Sequence, residues 1–283
     1  MVCVGRDSFA HKLYHQYYSI VMKVLAVLFL GLAASSFAFS RSSRKIPGGG
    51  RIIGGQDAAE GQFPYQIVLL HAGSYICSGS ILASNVVITA AHCVVGVPPR
   101  NLQIIAGELD RASVSGHEQT VQVVRIVVHE SYGVPSDLAN DIALLFLSDT
   151  VPLVLNEFVQ PIALPIQEQQ TSGEIIISGW GITTPSGSLS NILQWVELPV
   201  VDDATCQGNY PEEVILPSML CAGFPQGGRD SCQGDDGGPL VSVNTGYLAG
   251  LISWGYGCAL PGRPGVSTEV SYFVNWINDQ MTS

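Results

Sequence analysis

Two side chains in this sequence have the chemistry for proton transfer near neutral pH. His92 is followed directly by Cys93, and Asp141 stands at the head of an apolar segment. A neutral imidazole accepts a proton near pH 7, so His92 is a candidate general base. A buried carboxylate orients such a ring and stabilises its cation, which is the role we predict for Asp141. Three other histidines are interpreted as ordinary surface residues: His71, His117 and His129.

A glycine-rich acidic segment, residues 230–239, is the second place where chemistry is expected. Glycine-rich loops that contain acids can bind calcium or phosphate. Residues 234–238 read GDDGG, which lacks both the alternating ligand spacing of an EF-hand and the lysine of a P-loop. We therefore predict neither ion in this segment.

The elements that must position these residues are short and rich in β-formers. Such runs, separated by turn residues, predict a barrel or sandwich rather than a helical bundle. Only residues 271–281 have the pattern of an amphipathic helix. Clear runs occur at 65–70, 86–89, 102–106, 121–129, 141–147, 174–178, 240–243 and 247–252.

Composition and charge narrow the class of protein further. The chain has 283 residues, 47% hydrophobic and 12% charged, which is enough apolar material for a sizeable core. Residues 1–51 hold seven of the 12 basic residues and one of the 23 acidic ones, so five basic and 22 acidic residues follow. The later region therefore has a formal charge of −17. Nucleic acid and anionic membranes are excluded as favoured partners, and we predict a monomer.

The amino-terminal region predicts export. Residues 22–40 contain Lys23, a short apolar run and small residues, as in a signal peptide, and the run is too short to span a bilayer. Residues 1–21 are then a surplus leader or an upstream start wrongly included. Residues 41–51 are basic and glycine-rich, like a flexible pro-segment that ends at Arg51. Six of the seven cysteines follow it, an even set that predicts three disulfides in a secreted protein with fifteen possible pairings.

Several motifs together resemble the trypsin/chymotrypsin family of serine proteases, in the order that the family has them. They are RIIGG at 51–55, VITAAHC at 87–93, NDIALL at 140–145, DSCQGDDGGP at 230–239, SWGYGC at 253–258 and PGV at 264–266. The resemblance implies an all-β peptidase domain over 52–283. Its expected architecture is two antiparallel Greek-key β-barrels, roughly 52–160 and 161–270, and a C-terminal helix.

The resemblance also implies roles for individual residues. Backbone N–H groups of Gly234 and residue 236 would form the oxyanion hole. Asp230 would lie at the base of the primary pocket and attract Arg or Lys side chains. The expected pocket walls are Ser253, Gly255 and Gly265.

The family pattern further implies activation by proteolysis and a disulfide scheme. Cleavage after Arg51 would free the amino group of Ile52 to pair with Asp235. No cofactor is expected, because Glu108 and Glu118 occupy calcium positions of some relatives but Ser115 replaces a further acid. The implied disulfides are Cys77–Cys93, Cys206–Cys221 and Cys232–Cys258.

The sequence departs from the family at one position, because Asp236 stands where the nucleophilic serine is expected. A carboxylate is a weak nucleophile, and its attack on an amide would lead uphill to an anhydride. Its negative charge would also occupy or repel from the oxyanion hole and favour the imidazolium form of His92.

These observations lead to one functional prediction and one alternative. The prediction is a secreted trypsin-family protein that keeps a pocket for Arg or Lys but has lost efficient proteolysis. It would act as a binding or regulatory protein toward proteins or peptides with exposed Arg or Lys, after an activating protease cuts at Arg51. The alternative is an active digestive endopeptidase that cleaves after Arg or Lys, with residue 236 misrecorded. The expected location is extracellular, with the gut lumen as the setting.

Overall fold

The computed structural model describes residues 52–184 and 187–283, which contain thirteen β-strands and two α-helices. The segments predicted as leader, signal peptide and pro-segment, residues 1–51, lie outside this range. The strands are β1 Gln56–Asp57, β2 Gln66–His71, β3 Ser74–Ala83, β4 Val86–Thr89, β5 Leu102–Ala106, β6 Gln119–Val128, β7 Ala143–Leu147, β8 Glu174–Gly179, β9 Gln194–Val201, β10 Met219–Ala222, β11 Pro239–Ser242, β12 Leu248–Trp254 and β13 Gly265–Glu269. The helices are α1 Asp203–Asn209 and α2 Val274–Thr282, and short 3-10 helices span Ala91–Cys93, Pro99–Asn101 and Val270–Phe273.

The first half of the described chain forms a closed antiparallel barrel with the strand order β2-β3-β4-β7-β6-β5. In β5 buried and partly buried residues alternate, as expected for a strand with one face toward a core. Branched and aliphatic side chains such as Ile67, Leu102, Ile104 and Leu145 fill the interior and are inaccessible to solvent. The alternation therefore fixes the strand register, because a slip of one residue would expose this set.

The second half forms another closed antiparallel barrel, β8-β9-β10-β13-β12-β11, in which β8 pairs with both β9 and β11. The short strand β1 adds to β9 in the same sheet. Ile177, Leu198 and Leu240 lie in its core, together with the fully buried Ile52. Two barrels with few helices confirm the predicted fold class.

A third apolar cluster joins the barrels to the C-terminal helix. It combines Ile88 and Leu144 of the first barrel with Leu251 of the second, and with Phe273 and Ile277 of the C-terminal segment. The predicted helix over 271–281 is confirmed, although its first turn is 3-10 helix and α2 begins at Val274.

The sequence analysis predicted a helix only at the C-terminus. That prediction is wrong for residues 203–209, which form helix α1. The side chain of Asp202 caps α1 by accepting a hydrogen bond of 2.9 Å from the backbone N–H of Thr205. Cys206 on α1 is bonded to Cys221 on β10. A cap and a covalent link thus hold a helix too short for a clear apolar period. Among the described residues, no helix is long and apolar enough to cross a membrane.

Candidate active site

The 3-10 helix that follows β4 positions His92. Its neighbour Cys93 forms a disulfide with Cys77 of β3, with a Cα–Cα distance of 6.2 Å. The two preceding alanines, Ala90 and Ala91, are fully buried, so the backbone before the ring is packed into the first barrel. The imidazole itself stays partly accessible, with 25% of the side chain exposed.

Asp141 lies two residues before β7 and holds the ring of His92. Its Oδ2 is 2.7 Å from Nδ1 of His92, and its Oδ1 accepts a hydrogen bond of 2.8 Å from the His92 backbone N–H. The carboxylate is fully buried, and the hydroxyl of Ser253 donates to Oδ2 over 2.5 Å. The structure thus joins residues 49 positions apart in the arrangement expected for a base and its orienting acid.

Burial and neighbouring charges shift the pKa of His92 in opposite directions. Burial of the ring lowers its pKa, but the hydrogen bond to Asp141 and the charges of Asp141 and Asp236 outweigh that effect and raise the pKa above its ordinary value. A raised pKa increases the imidazolium fraction near neutral pH, and imidazolium cannot act as a base.

Asp236 sits in the loop between β10 and β11, opposite His92. Its Oδ1 is 3.9 Å from Nε2 of His92, and its Oδ2 accepts a hydrogen bond of 3.2 Å from the backbone N–H of Gly234. About a third of the side chain, 34%, is exposed. The carboxylate therefore already binds one of the two N–H groups that were predicted to form the oxyanion hole.

Gly234 requires the absence of a side chain. Its φ is +94°, and a Cβ would lie 2.5 Å from Cδ2 of Leu189 and 3.2 Å from the backbone of Gly181. The hydroxyl of Tyr75 donates to the Gly234 carbonyl over 2.5 Å. Sequence analysis missed Tyr75, because 159 residues separate it from its partner and no local motif marks the contact.

The neighbouring acid, Asp235, points away from His92 into the protein. It is fully buried and accepts hydrogen bonds from the backbone N–H groups of Gly181 and Cys232, over 2.7 and 2.9 Å. Burial raises its pKa to about 7, although these hydrogen bonds oppose the effect. Ile52 is still joined to Arg51 in this chain and has no free amino group, so its ion pair with Asp235 stays a prediction.

Asp230 lies at a cavity of about 200 Å³ beside this loop. Its side chain is buried, and its Oδ2 accepts a hydrogen bond of 2.9 Å from the N–H of Ala259. Burial raises its pKa to about 6, with hydrogen bonds from Ala259 and Ser231 opposing the shift. Other lining residues include Ser231, Gln233, Asp236, Trp254, Gly255 and Gly265. The cavity thus has one carboxylate in a buried position and another, Asp236, in a partly exposed one.

Of the three predicted wall residues, Gly255 and Gly265 line the cavity and Ser253 does not. Gly265 is close to Asp230, because a Cβ at 265 would lie 2.9 Å from Oδ1 of that carboxylate. Gly255 also lines the cavity, and a Cβ there would make only ordinary contacts. The side chain of Ser253 instead binds Asp141. The Cys232–Cys258 disulfide lines the cavity, with a Cα–Cα distance of 5.3 Å.

All three implied disulfides are present in the structure. The pairings could not be derived from the spacing of six cysteines, and the family resemblance selected the right set.

The two acids considered for calcium differ in their surroundings. Burial would raise the pKa of Glu118, but hydrogen bonds from Ser115 and Gly116 outweigh it and lower the pKa to about 2. Glu108 has a buried Oε1 without a hydrogen-bond partner in the described part of the chain, and burial followed by the charge of Glu118 raises its pKa. Backbone N–H groups of Ser115 and Gly116 therefore already bind the Glu118 carboxylate, and the expectation that no calcium binds at Glu108 and Glu118 stays a prediction.

Comparison with known proteins agrees with the fold and the motifs. The model of the family described as Trypsin matches residues 52–277. The chain is 50% identical to Trypsin-1 of Astacus astacus over 235 residues, which are 80% of this chain and 98% of the relative. It is 40% identical to Serine protease 1 of Rattus norvegicus over 259 residues, 91% of this chain and 99% of the relative. Trypsin eta of Drosophila melanogaster is 38% identical over 270 residues, 93% and 98% of the two chains.

A family match over most of the described residues, two closed barrels and three matching disulfides lead to the same assignment. This chain belongs to the trypsin family of serine proteases.

Proposed function

We propose that this protein is a secreted trypsin-family homologue that binds Arg or Lys side chains but is inactive or strongly impaired in proteolysis. The observation that carries the proposal is the position of the Asp236 carboxylate. It binds the N–H of Gly234 and faces Nε2 of His92 at 3.9 Å, the place where a nucleophile would act. The protein would then act as a binding or regulatory partner rather than as a digestive enzyme.

The chemistry of a carboxylate at 236 opposes peptide cleavage in three ways. It is already deprotonated, so His92 has no proton to remove and cannot activate it. Its attack on an amide would give a tetrahedral intermediate that expels the carboxylate more readily than the amine. Its hydrogen bond to Gly234 places negative charge where the oxyanion would develop. Residual water-mediated hydrolysis, about 10³–10⁴-fold over the uncatalysed rate in related triads, would remain.

The cavity at Asp230 supports the binding half of the proposal. A buried carboxylate that accepts few strong hydrogen bonds favours a cationic partner, and a planar guanidinium or amidine fits two carboxylate oxygens. Gly255 and Gly265 leave the cavity without side chains from these two positions. The partner would be a protein or peptide with an exposed Arg or Lys.

Activation would follow the family scheme. A protease would cut after Arg51, and the new amino group of Ile52 would pair with Asp235. In the uncleaved chain, the two oxygens of Asp235 accept hydrogen bonds from the backbone N–H groups of Gly181 and Cys232. Secretion fits the three disulfides, since such bonds persist in oxidising compartments. A gut lumen is the setting that we propose.

The alternative function is an active digestive endopeptidase that cleaves after Arg or Lys. The relatives called trypsin favour it, together with the geometry of His92 and Asp141. It requires a serine at position 236, which this sequence does not have.

Four measurements on one preparation separate the two functions. Mass spectrometry of the peptide that contains residue 236 establishes its identity, and N-terminal sequencing verifies cleavage after Arg51. Turnover of a peptidyl-arginine amide and calorimetric binding of benzamidine are then measured after the activating protease is removed. We expect saturable benzamidine binding, lost in Asp230→Asn, and no significant turnover. Turnover at about 1–10³ s⁻¹ with Asp236 verified would contradict the loss of catalysis.

A further inference from the structure

Nε2 of His92 and Oδ1 of Asp236, two atoms that can bind a metal ion through a lone pair, face each other at the site. Nδ1 of His92 lies 2.7 Å from the Asp141 carboxylate, which only accepts, so Nδ1 keeps its proton when the ring is neutral. Nε2 then offers a lone pair toward Oδ1 of Asp236, which is also an acceptor, at 3.9 Å. This distance is too long for a hydrogen bond. In the imidazolium form, a metal ion has to displace the proton of Nε2. Imidazole nitrogen and carboxylate oxygen are both ligand types that divalent metal ions such as zinc accept.

We propose that His92 and Asp236 together bind a divalent transition-metal ion, zinc being the best match. Zinc bonds to imidazole nitrogen and carboxylate oxygen are about 2.0–2.2 Å long, so the two ligand atoms of one ion lie at most about 4 Å apart. The observed separation of 3.9 Å is inside that limit. A small side-chain rotation of the partly exposed Asp236 would give the shorter separation of a tetrahedral site.

The surroundings of both ligands support this site. Ligating histidines commonly donate their other ring N–H to a carboxylate, and ligating carboxylates are themselves hydrogen-bonded. Asp141 accepts from Nδ1 of His92, and the N–H of Gly234 binds the second oxygen of Asp236. Both ligands therefore have the outer contacts that fix their orientation. The partly exposed side chains leave the remaining coordination positions to water.

Two other groupings of metal-binding residue types are weaker candidates. Cys77, His92 and Cys93 lie together, but both cysteines are in a disulfide and offer no thiolate. His117 and Glu60 form a similar pair, with Nε2 and Oε1 3.2 Å apart, but both are at least one-third exposed. This second pair is a useful control because it has the same ligand types in an ordinary surface setting.

The test is zinc binding by isothermal calorimetry to the purified, tag-free protein, with zinc chloride as the probe. We expect one principal site, weakened about tenfold or more by His92→Ala and by Asp236→Asn, which keeps the size of the side chain but removes its charge. Asp141→Asn should weaken binding about 10–100-fold, as loss of an outer-shell partner does in other metal sites. His117→Ala should leave the principal site unchanged.

A second measurement uses the unmodified protein and therefore does not depend on whether the variants fold. In the ¹⁵N NMR spectrum of the unmodified protein, zinc should shift Nε2 of His92 before any other histidine nitrogen. Absence of binding at millimolar zinc, or a principal site that survives Asp236→Asn and is lost in His117→Ala, would overturn the proposal. A zinc shift confined to His117 would do the same.

Discussion

At the scale of single residues, the proposed loss of proteolysis depends on the carboxylate at position 236. The structure places the Asp141 carboxylate against the ring of His92 and places Asp230 at the cavity, as the family resemblance implies. In the function that we propose, Asp236 opposes the mechanism through its charge and its hydrogen bond to Gly234. The geometry around it therefore predicts that restoring the nucleophile restores activity.

Asp236→Ser should create a protease that cleaves after Arg or Lys. The hydroxyl would lie beside Nε2 of His92, and the N–H of Gly234 would be free for the oxyanion. Activity on a peptidyl-arginine amide, measured after cleavage at Arg51, should rise by on the order of 10⁶-fold, the loss that removal of a nucleophile causes in a similar triad. His92→Ala in the same background should abolish the gain. An inactive but folded and cleaved Asp236→Ser protein would contradict the prediction.

Gly265→Ala should weaken amidine binding. Its Cβ would lie 2.9 Å from Oδ1 of Asp230, so the carboxylate would have to move or lose its partner. We expect the affinity for benzamidine to fall by about tenfold, which corresponds to about 1.4 kcal/mol. Gly208→Ala on α1 is the control, because a Cβ there meets no atom within 4 Å. Equal affinities of the two variants would show that the ligand binds elsewhere.

At the scale of elements, disulfides fix segments that have little regular structure of their own. The Cys77–Cys93 bond holds the 3-10 turn of His92 against β3, and Cys232–Cys258 holds the loop that contains Asp230 and Asp236. Helix α1 is seven residues long, and Cys206–Cys221 ties it to β10. Short elements of this kind depend on cross-links, because an isolated helix of this length is unstable in water.

Removal of the Cys206–Cys221 bond by double substitution to alanine should destabilise the second barrel without displacing the catalytic residues. The bond closes a loop with a sequence separation of 15 residues, for which the chain-entropy estimate is about 3 kcal/mol. Urea unfolding should show this loss, while benzamidine affinity of the folded variant should stay unchanged. A large loss of benzamidine affinity would mean that α1 positions the pocket directly.

At the scale of the whole molecule, the second barrel contains several buried carboxyl groups. Burial raises the pKa of Asp230 to about 6, and that of Asp235 and Glu269 to about 7. The folded state therefore binds protons more tightly at these groups than the unfolded chain does. The free energy of unfolding therefore falls as the pH rises from the ordinary carboxyl pKa to the raised folded pKa, and it levels off above that value.

The uncleaved protein should consequently be more stable near pH 5 than at pH 8. Asp235 alone would contribute about 2 kcal/mol or more to the difference, at about 1.4 kcal/mol for each unit of pKa shift. The free energy of unfolding in urea, measured at several pH values between 5 and 8, tests this. Cleavage after Arg51 should reduce the slope, since an ammonium partner lowers the pKa of Asp235. A slope of the opposite sign in the uncleaved protein would refute the assignment of buried, uncompensated acids.

The sequence by itself determined the fold class, the positions of most strands and the candidate residues of the site. Short runs rich in β-formers predict the strands of a barrel or sandwich, and the ordered motifs around His92, Asp141 and residues 230–239 point to the family and thus to two barrels. The departure at Asp236 was also visible, because a motif fixes the residue type expected at each of its positions.

Only the tertiary structure decided how these residues meet. The side chain of Asp236 binds Gly234 and faces Nε2 of His92, and the hydroxyl of Ser253 binds Asp141 instead of lining the cavity. Tyr75 reaches Gly234 across 159 residues, and α1 forms through a cap and a disulfide. Such contacts depend on how two closed barrels bring distant loops together, and local periodicity carries no information about distances between loops.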